Sequence, residues 1–190
     1  MIKKLVCLGD SLTQGYEIDL SARWTQGLKE KLNCEVVNKG ISGDTTAGML
    51  ARFYHDVVSE KPSHVLIMGG TNDLFFDISF RQIIYNIFAM TRQAKFNGIE
   101  VIIGIPPMSY ADLDSSDESI IASDRKHSKR VEDYRRLLME YCTQDERSFI
   151  DFNEFLTPDD FIADKLHPNE AGQLLMRDSV IKGLSSFLNE

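Results

Sequence analysis

The chain has 190 residues, of which 43% are hydrophobic and 26% are charged, and its formal net charge is −8. This length and balance predict a single globular domain and exclude a disordered or fibrous protein. Because nucleic-acid affinity comes largely from Lys and Arg, the net negative charge argues against a nucleic-acid partner.

The first residues look like a secretory signal only briefly. Their apolar run covers residues 5–8 and stops at Gly9, whereas a signal needs about 7 or more apolar residues. No later stretch approaches the ~20 apolar residues of a membrane-spanning helix. Three scattered cysteines without a Cys-x-x-Cys pair suggest neither a disulfide framework nor a zinc site. We therefore expect a cytoplasmic protein with no membrane span.

Short apolar runs of strand length alternate with longer segments of helical spacing. The predicted strands are residues 4–8, 35–38, 64–68, 100–105 and 148–151. The predicted helices are residues 22–32, 45–58, 80–97, 129–141 and a last one from about Pro168, as its first helical residue, to 188. This alternation is typical of βαβ units, whose crossovers are right-handed. We therefore expect a three-layer α/β/α sandwich with a five-stranded parallel sheet, in a flavodoxin-like arrangement.

Short polar motifs follow four of the predicted strands, the first, second, third and fifth. They are Gly9-Asp10-Ser11-Leu12, Gly40-Ile41-Ser42-Gly43-Asp44, Gly69-Gly70-Thr71-Asn72-Asp73 and Asp164-Lys165-Leu166-His167. Open α/β sheets bind their ligands at the carboxyl edge of the strands. We therefore expect these sequence-distant motifs to meet at one site.

Ser11 and His167 are the candidate nucleophile and general base of that site. An alcohol is a poor nucleophile at neutral pH and needs an adjacent base to take its proton. Asp164 precedes His167 by three residues in a polar turn, so its carboxylate can accept the other ring proton of the imidazole. The chain order Ser, Asp, His is a known order for such a triad. We interpret the remaining histidines as structural or solvated; they are His55, His64 and His127.

Gly43 and Asn72 are the candidate donors for the oxyanion that forms when a nucleophile attacks a carbonyl. Gly43 can present its backbone N–H with no side chain in the way, and Asn72 offers an uncharged amide. Found alone, they would be an ordinary turn glycine and a turn asparagine. We expect Asp44 and Asp73 to be scaffold or capping residues.

A binding module is the alternative interpretation of these motifs. The loop at Ser11 would then hold a phosphate or a flavin, or Ser11 would only cap a helix, and the other motifs would be turns. This leaves the pairing of Asp164 with His167 unexplained. A third interpretation keeps the fold as an inactive scaffold for partners, although all four motifs are intact.

The four motifs resemble the sequence blocks of the SGNH, or GDSL-type, hydrolase family. Residues 9–12 resemble its first block, Gly43 belongs to the second, residues 70–73 resemble the third and residues 164–167 the fifth. The resemblance implies a flavodoxin-like fold and a small ester or thioester substrate, with neither a metal nor an organic cofactor.

The same resemblance implies a role for each site residue. Ser11 is the nucleophile and also donates to the oxyanion through its own N–H. Gly43 and Asn72 complete the oxyanion hole, and Asp164 and His167 complete the triad. Family members act on many esters, among them thioesters, lysophospholipids, aryl esters and acetylated carbohydrates, so the motifs leave the natural substrate open.

Residues 109–124 carry five acidic residues and no Lys or Arg, which predicts a mobile surface loop. Because the loop follows the fourth predicted strand, we expect it to overhang the site. A long lipid tail would find little apolar cover there, so the loop favours short acyl groups.

Overall fold

The computed structural model describes residues 2–111 and 126–188. Within them, one sheet consists of β1 (Lys4–Gly9), β2 (Glu35–Gly40), β3 (His64–Met68), β4 (Glu100–Ile105) and β5 (Phe149–Asp151). Neighbouring strands are all parallel, in the order β2-β1-β3-β4-β5. This is the flavodoxin-like order, with a switch point between β1 and β3. The predicted five-stranded parallel sheet is confirmed.

The helices of the described residues lie on both faces of this sheet. They are α1 (Ser11–Gln14), α2 (Leu28–Leu32), α3 (Thr46–Asp56), α4 (Thr71–Phe75), α5 (Phe80–Phe96), α6 (His127–Gln144) and α7 (Glu170–Leu188), with 3₁₀ turns at Leu20–Ala22, Val58–Glu60 and Pro158–Asp160. The predicted three-layer sandwich is therefore confirmed. None of the described helices is both long enough and apolar enough to cross a membrane.

Successive strand residues supply two apolar cores, one on each face of the sheet. Val6 and Leu8 of β1 belong to the core beneath α3, α5 and α6. Leu5 and Cys7 belong to the core that contains Trp24 and the buried residues of α2 and α7. Because both faces of the strand are covered, β1 is apolar from Leu5 to Leu8 and not alternating. The two cores pack against the strands on both faces, and the carboxyl ends of the strands lie at one edge of the sheet.

The predicted helix over residues 22–32 is wrong in its first half. The α-helix covers only Leu28–Leu32, and Arg23 has an extended backbone. Trp24 explains the difference, because tertiary contacts take both of its N–H groups. Its backbone N–H donates to Gln173 Oε1 (3.1 Å), and its buried indole donates to the Leu12 carbonyl (3.0 Å).

The last helix begins at Glu170, so the prediction that Pro168 is its first residue is also wrong. Pro168 instead pairs with Phe161 in an isolated antiparallel bridge. Asn169 takes the capping position, where its Oδ1 accepts the Gly172 N–H at 3.0 Å. The loop predicted over residues 109–124 lies outside the described residues from residue 112 onward.

Candidate active site

Ser11 lies where β1 ends at the carboxyl edge of the sheet. It is the first residue of α1, and its side chain is largely buried, with 6% of the residue exposed. The preceding Asp10 caps the helix through its side chain, which accepts the Leu12 N–H at 2.9 Å. Among the described residues, no acceptor faces the Ser11 N–H, so a bound ligand can use that donor.

Ser11, His167 and Asp164 form a continuous chain of hydrogen bonds. The Ser11 Oγ lies 2.8 Å from His167 Nε2, and His167 Nδ1 lies 2.6 Å from Asp164 Oδ2. An ionised carboxylate only accepts hydrogen bonds, so the Nδ1 atom carries the proton of the neutral ring. The lone pair of Nε2 then faces the serine hydroxyl. The structure thus brings together the three predicted residues, although 156 positions separate Ser11 from His167.

A tight turn fixes the direction of the His167 ring. Asp164 Oδ1 accepts the backbone N–H groups of Leu166 and His167 at 2.8 and 3.0 Å, and the Ile162 N–H donates to the His167 carbonyl. Partial burial raises the pKa of the Asp164 carboxyl, but the hydrogen bonds from His167 and these N–H groups outweigh it. The net effect lowers its pKa below the usual value, so the group is ionised at neutral pH.

Gly43 occupies the loop that follows β2. Its φ of +78° is a left-handed conformation that glycine adopts without strain, and a Cβ there would meet nothing within 4 Å. The loop is tied to the serine segment, since Ile41 N–H donates to the Gly9 carbonyl (3.0 Å) and Ser42 N–H to Gln14 Oε1 (3.0 Å). Within the described residues, the Gly43 N–H has no acceptor.

Asn72 belongs to α4, directly after β3. Its Nδ2 donates one hydrogen to the Asp44 carbonyl at 2.9 Å, which joins the third motif to the residue after Gly43. The amide group has a second hydrogen that remains available for a ligand. Asp73, expected to be a scaffold residue, accepts both the hydroxyl and the backbone N–H of Thr46, at 2.6 and 2.9 Å.

Asp10 is a buried carboxylate behind the serine. Its Oδ2 accepts the Thr71 hydroxyl at 3.0 Å, so it links the first motif to the third. Burial raises the pKa of Asp10 from 3.8 to about 6, although the bonds from Leu12 and Thr71 and the nearby His167 act to lower it. The carboxylate therefore ionises at neutral pH only at a cost to the folded state.

Asp10→Asn should stabilise the protein by an amount that grows as the pH rises. The folded-state pKa of Asp10 lies above its unfolded value, so its favourable contribution is complete below about pH 4 and is lost as the pH rises through about 6. Over that range the difference corresponds to about 3 kcal/mol of the free energy of unfolding. Asparagine keeps an acceptor for Leu12 and has no charge.

Urea unfolding of Asp10→Asn and the wild-type protein, at acidic and neutral pH, checks this effect. The two proteins share all other titrating groups. The difference between their free energies of unfolding therefore reports the effect of ionising the Asp10 carboxyl. A difference that stays constant or shrinks towards neutral pH contradicts the burial argument.

Tyr16 and Arg52 were not among the site residues predicted from the sequence. The Tyr16 ring packs against the His167 ring, with centroids 4.6 Å apart and planes tilted by 39°. Arg52, on α3, bonds to the ends of β1 and β2. Helical spacing could have signalled the pairing of Arg52 with Asp56, four residues later. Its other contacts join residues that only the strand order brings together.

The remaining histidines have other surroundings. His55 is exposed, and its Nδ1 contacts Asp56. His64 is a buried residue of β3, and the ring of His127 stacks on Phe75 with centroids 3.7 Å apart. Among the residues that the structure describes, no group of three or more His, Cys, Asp or Glu side chains is arranged to hold a metal ion.

Comparison with known proteins identifies relatives of this fold and these motifs. Esterase TesA of Pseudomonas aeruginosa is 36% identical over 111 residues, 54% of this chain, and the chain spans 55% of that relative. The Escherichia coli K12 protein named thioesterase 1/protease 1/lysophospholipase L1 is 27% identical over 97% of this chain and 85% of its own length. A crystal structure of TesA has a TM-score of 0.79 at 26% identity, covering 97% of this chain and 99% of that one.

The GDSL-like lipase/acylhydrolase family matches residues 7–175, which include all four motifs. This agrees with the resemblance that the motifs predicted and with the observed strand order. The chain belongs to the GDSL-like lipase/acylhydrolase family.

Proposed function

We propose that the protein is a serine hydrolase that cleaves carboxylic esters or thioesters of small molecules, with no metal or organic cofactor. The observation that carries the proposal is the chain of hydrogen bonds from Ser11 Oγ through His167 to Asp164, at 2.8 and 2.6 Å. It supplies a nucleophile, a base in the required tautomer and a carboxylate that stabilises the imidazolium. The names of the two relatives, an esterase and a thioesterase/lysophospholipase, support the same class of reaction.

The proposed reaction proceeds through an acyl-enzyme. Ser11 Oγ attacks the carbonyl carbon while His167 Nε2 takes the hydroxyl proton. The N–H groups of Ser11 and Gly43 and the amide of Asn72 bind the oxygen as it acquires negative charge. His167 then gives the proton to the departing alcohol or thiol. Water repeats the sequence on the acyl-enzyme, with His167 as the base, and releases the carboxylic acid.

The alternative, a phosphate- or flavin-binding module, is disfavoured by Asp10. A phosphate-binding turn uses the free N–H groups at a helix start to hold an anion. Here the Asp10 carboxylate already takes the Leu12 N–H, and the N–H groups of Thr13 and Gln14 bond to the Asp10 carbonyl.

A fluorophosphonate probe and a panel of esters test the proposal. We expect the probe to label Ser11, and we expect hydrolysis that EDTA leaves unchanged. The panel should include acyl esters of increasing chain length, acetylated sugars and acyl-CoA, so that it also tests the preference for short acyl groups. Purified protein that shows flavin absorbance and resists the probe would establish the alternative instead.

The cytoplasmic setting expected from the sequence stays a prediction.

A further inference from the structure

We propose that Arg52 is the positioning residue of the oxyanion hole, and that it holds the Asn72 amide in place through Asp44. This inference rests on the proposed hydrolase function. Arg52 does not contact the reacting atoms in this scheme. It acts on the segments that carry the oxyanion donors.

The Arg52 guanidinium makes four hydrogen bonds at the carboxyl ends of β1 and β2. Its Nε donates to Asp44 Oδ2 (2.7 Å), and its Nη1 donates to the Lys39 carbonyl (2.9 Å) and Asp56 Oδ2 (2.7 Å). Its Nη2 donates to the Gly9 carbonyl at 2.9 Å. One side chain therefore fastens the last residues of β1 and β2 and the loop between β2 and α3.

Each of these anchored segments carries or holds a proposed oxyanion donor. Gly9 lies two residues before Ser11, and Asp44 directly follows Gly43. The Asp44 carbonyl accepts the Asn72 amide at 2.9 Å, so the path from Arg52 to Asn72 passes through one residue. The Asp44 carboxylate also rests against Gly48, where an added Cβ would lie only 1.9 Å from its Oδ1. Asp44 thus has little room to move while Arg52 holds it.

The charge around Arg52 is consistent with positioning and not with direct stabilisation of an anion. Two carboxylates, Asp44 and Asp56, contact the guanidinium, and all three side chains are at most 16% exposed. The group therefore has a formal charge of −1, which gives a developing oxyanion no net attraction. What the guanidinium provides is geometry, because its planar set of donors reaches several acceptors at once and a lysine ammonium cannot reproduce it.

Arg135 of α6 provides a matched control. Its Nη1 donates to the Pro106 carbonyl, beyond the end of β4, and its Nη2 contacts Asp151 Oδ1 at the end of β5 (2.9 Å). Like Arg52, it is a largely buried arginine that fastens two neighbouring strands at the carboxyl edge. Unlike Arg52, it contacts no segment that carries a proposed oxyanion donor.

The test compares Arg52→Lys with Arg135→Lys by kcat, KM and melting temperature on the same samples. We expect Arg52→Lys to lower kcat by about tenfold to hundredfold, since misplacing a catalytic group by about 1 Å has effects of this size, with KM little changed. Arg135→Lys should lower the melting temperature and leave kcat per folded molecule near the wild-type value. If Arg52→Lys lowers only the melting temperature, Arg52 is structural and the proposal is overturned.

A double-mutant cycle with Asn72→Ala tests the path itself. Asn72→Ala should lower kcat by about 10²- to 10³-fold, because it removes one oxyanion donor. If Arg52 acts through Asn72, adding Arg52→Lys to this variant should have a much smaller effect than it has on the wild-type protein. Equal factors in both backgrounds overturn the proposed path. If the wild-type protein neither hydrolyses esters nor reacts with the probe, the proposed hydrolase function is overturned, and the role of Arg52 is overturned as well.

Discussion

Ser11→Ala should lower kcat for ester hydrolysis by about 10⁶-fold, the loss that follows removal of a serine nucleophile from a complete triad. The hydroxyl lost is the one that lies 2.8 Å from the imidazole of His167. The fold should be intact, because the helix cap at this turn is the side chain of Asp10, not that of Ser11. The measurement is the steady-state rate with an activated ester, alongside the melting temperature.

Ser42→Ala is the matched control for the serine. Ser42 lies in the loop after β2 at the same edge, and its backbone N–H, not its hydroxyl, makes the bond to Gln14. We expect Ser42→Ala to turn over esters at close to the wild-type rate. Near-wild-type turnover by Ser11→Ala would instead remove Ser11 from the mechanism.

Asp164→Asn should lower kcat by about 10⁴-fold with little change in structure. Asparagine keeps an Oδ1 acceptor for the N–H groups of Leu166 and His167, so the turn persists. Its NH₂ replaces the oxygen that lies 2.6 Å from His167 Nδ1, and an NH₂ cannot accept a hydrogen bond from that atom. The neutral ring then carries its proton on Nε2, and a protonated Nε2 can no longer take the proton of Ser11.

Asp159→Asn makes the same change of charge nearby and serves as the control. Asp159 is exposed, and its backbone carbonyl, not its carboxylate, accepts the Asn169 amide. If the two variants lose activity equally, the loss reflects local charge and not the tautomer of His167. Fluorophosphonate labelling of Ser11 should slow in Asp164→Asn alone.

The sequence predicted the centre of the sheet because β1, β3 and β4 are largely buried. β1 and β4 have few solvent-facing positions that would need polar residues. Their apolar and β-branched runs therefore indicate strands from composition alone. It predicted the pairing of Asp164 with His167 because the two are three residues apart, and a local turn fixes their contact. Both inferences depend on short-range information.

The error at Trp24 and the omission of Arg52 depend on long-range contacts. Trp24 leaves the helical pattern because Gln173, 149 positions away, accepts its N–H. Arg52 reaches Gly9 across 43 positions, and only the adjacency of β1 and β2 makes that possible. Local periodicity contains no trace of either contact. The hydrogen bond between Asn72 and the Asp44 carbonyl was likewise hidden, although both residues lay in motifs that the sequence singled out.

Trp24 also gives the protein an optical probe of its own site. It is the sole tryptophan of the chain and is 1% exposed. Its indole bonds to the carbonyl of Leu12, the residue after Ser11, and its backbone N–H bonds to α7. Fluorescence excited at the indole band therefore comes from a single position, which lies between the turn that carries Ser11 and α7. Detachment of either segment would wet the indole and shift its emission to longer wavelength, with no label attached.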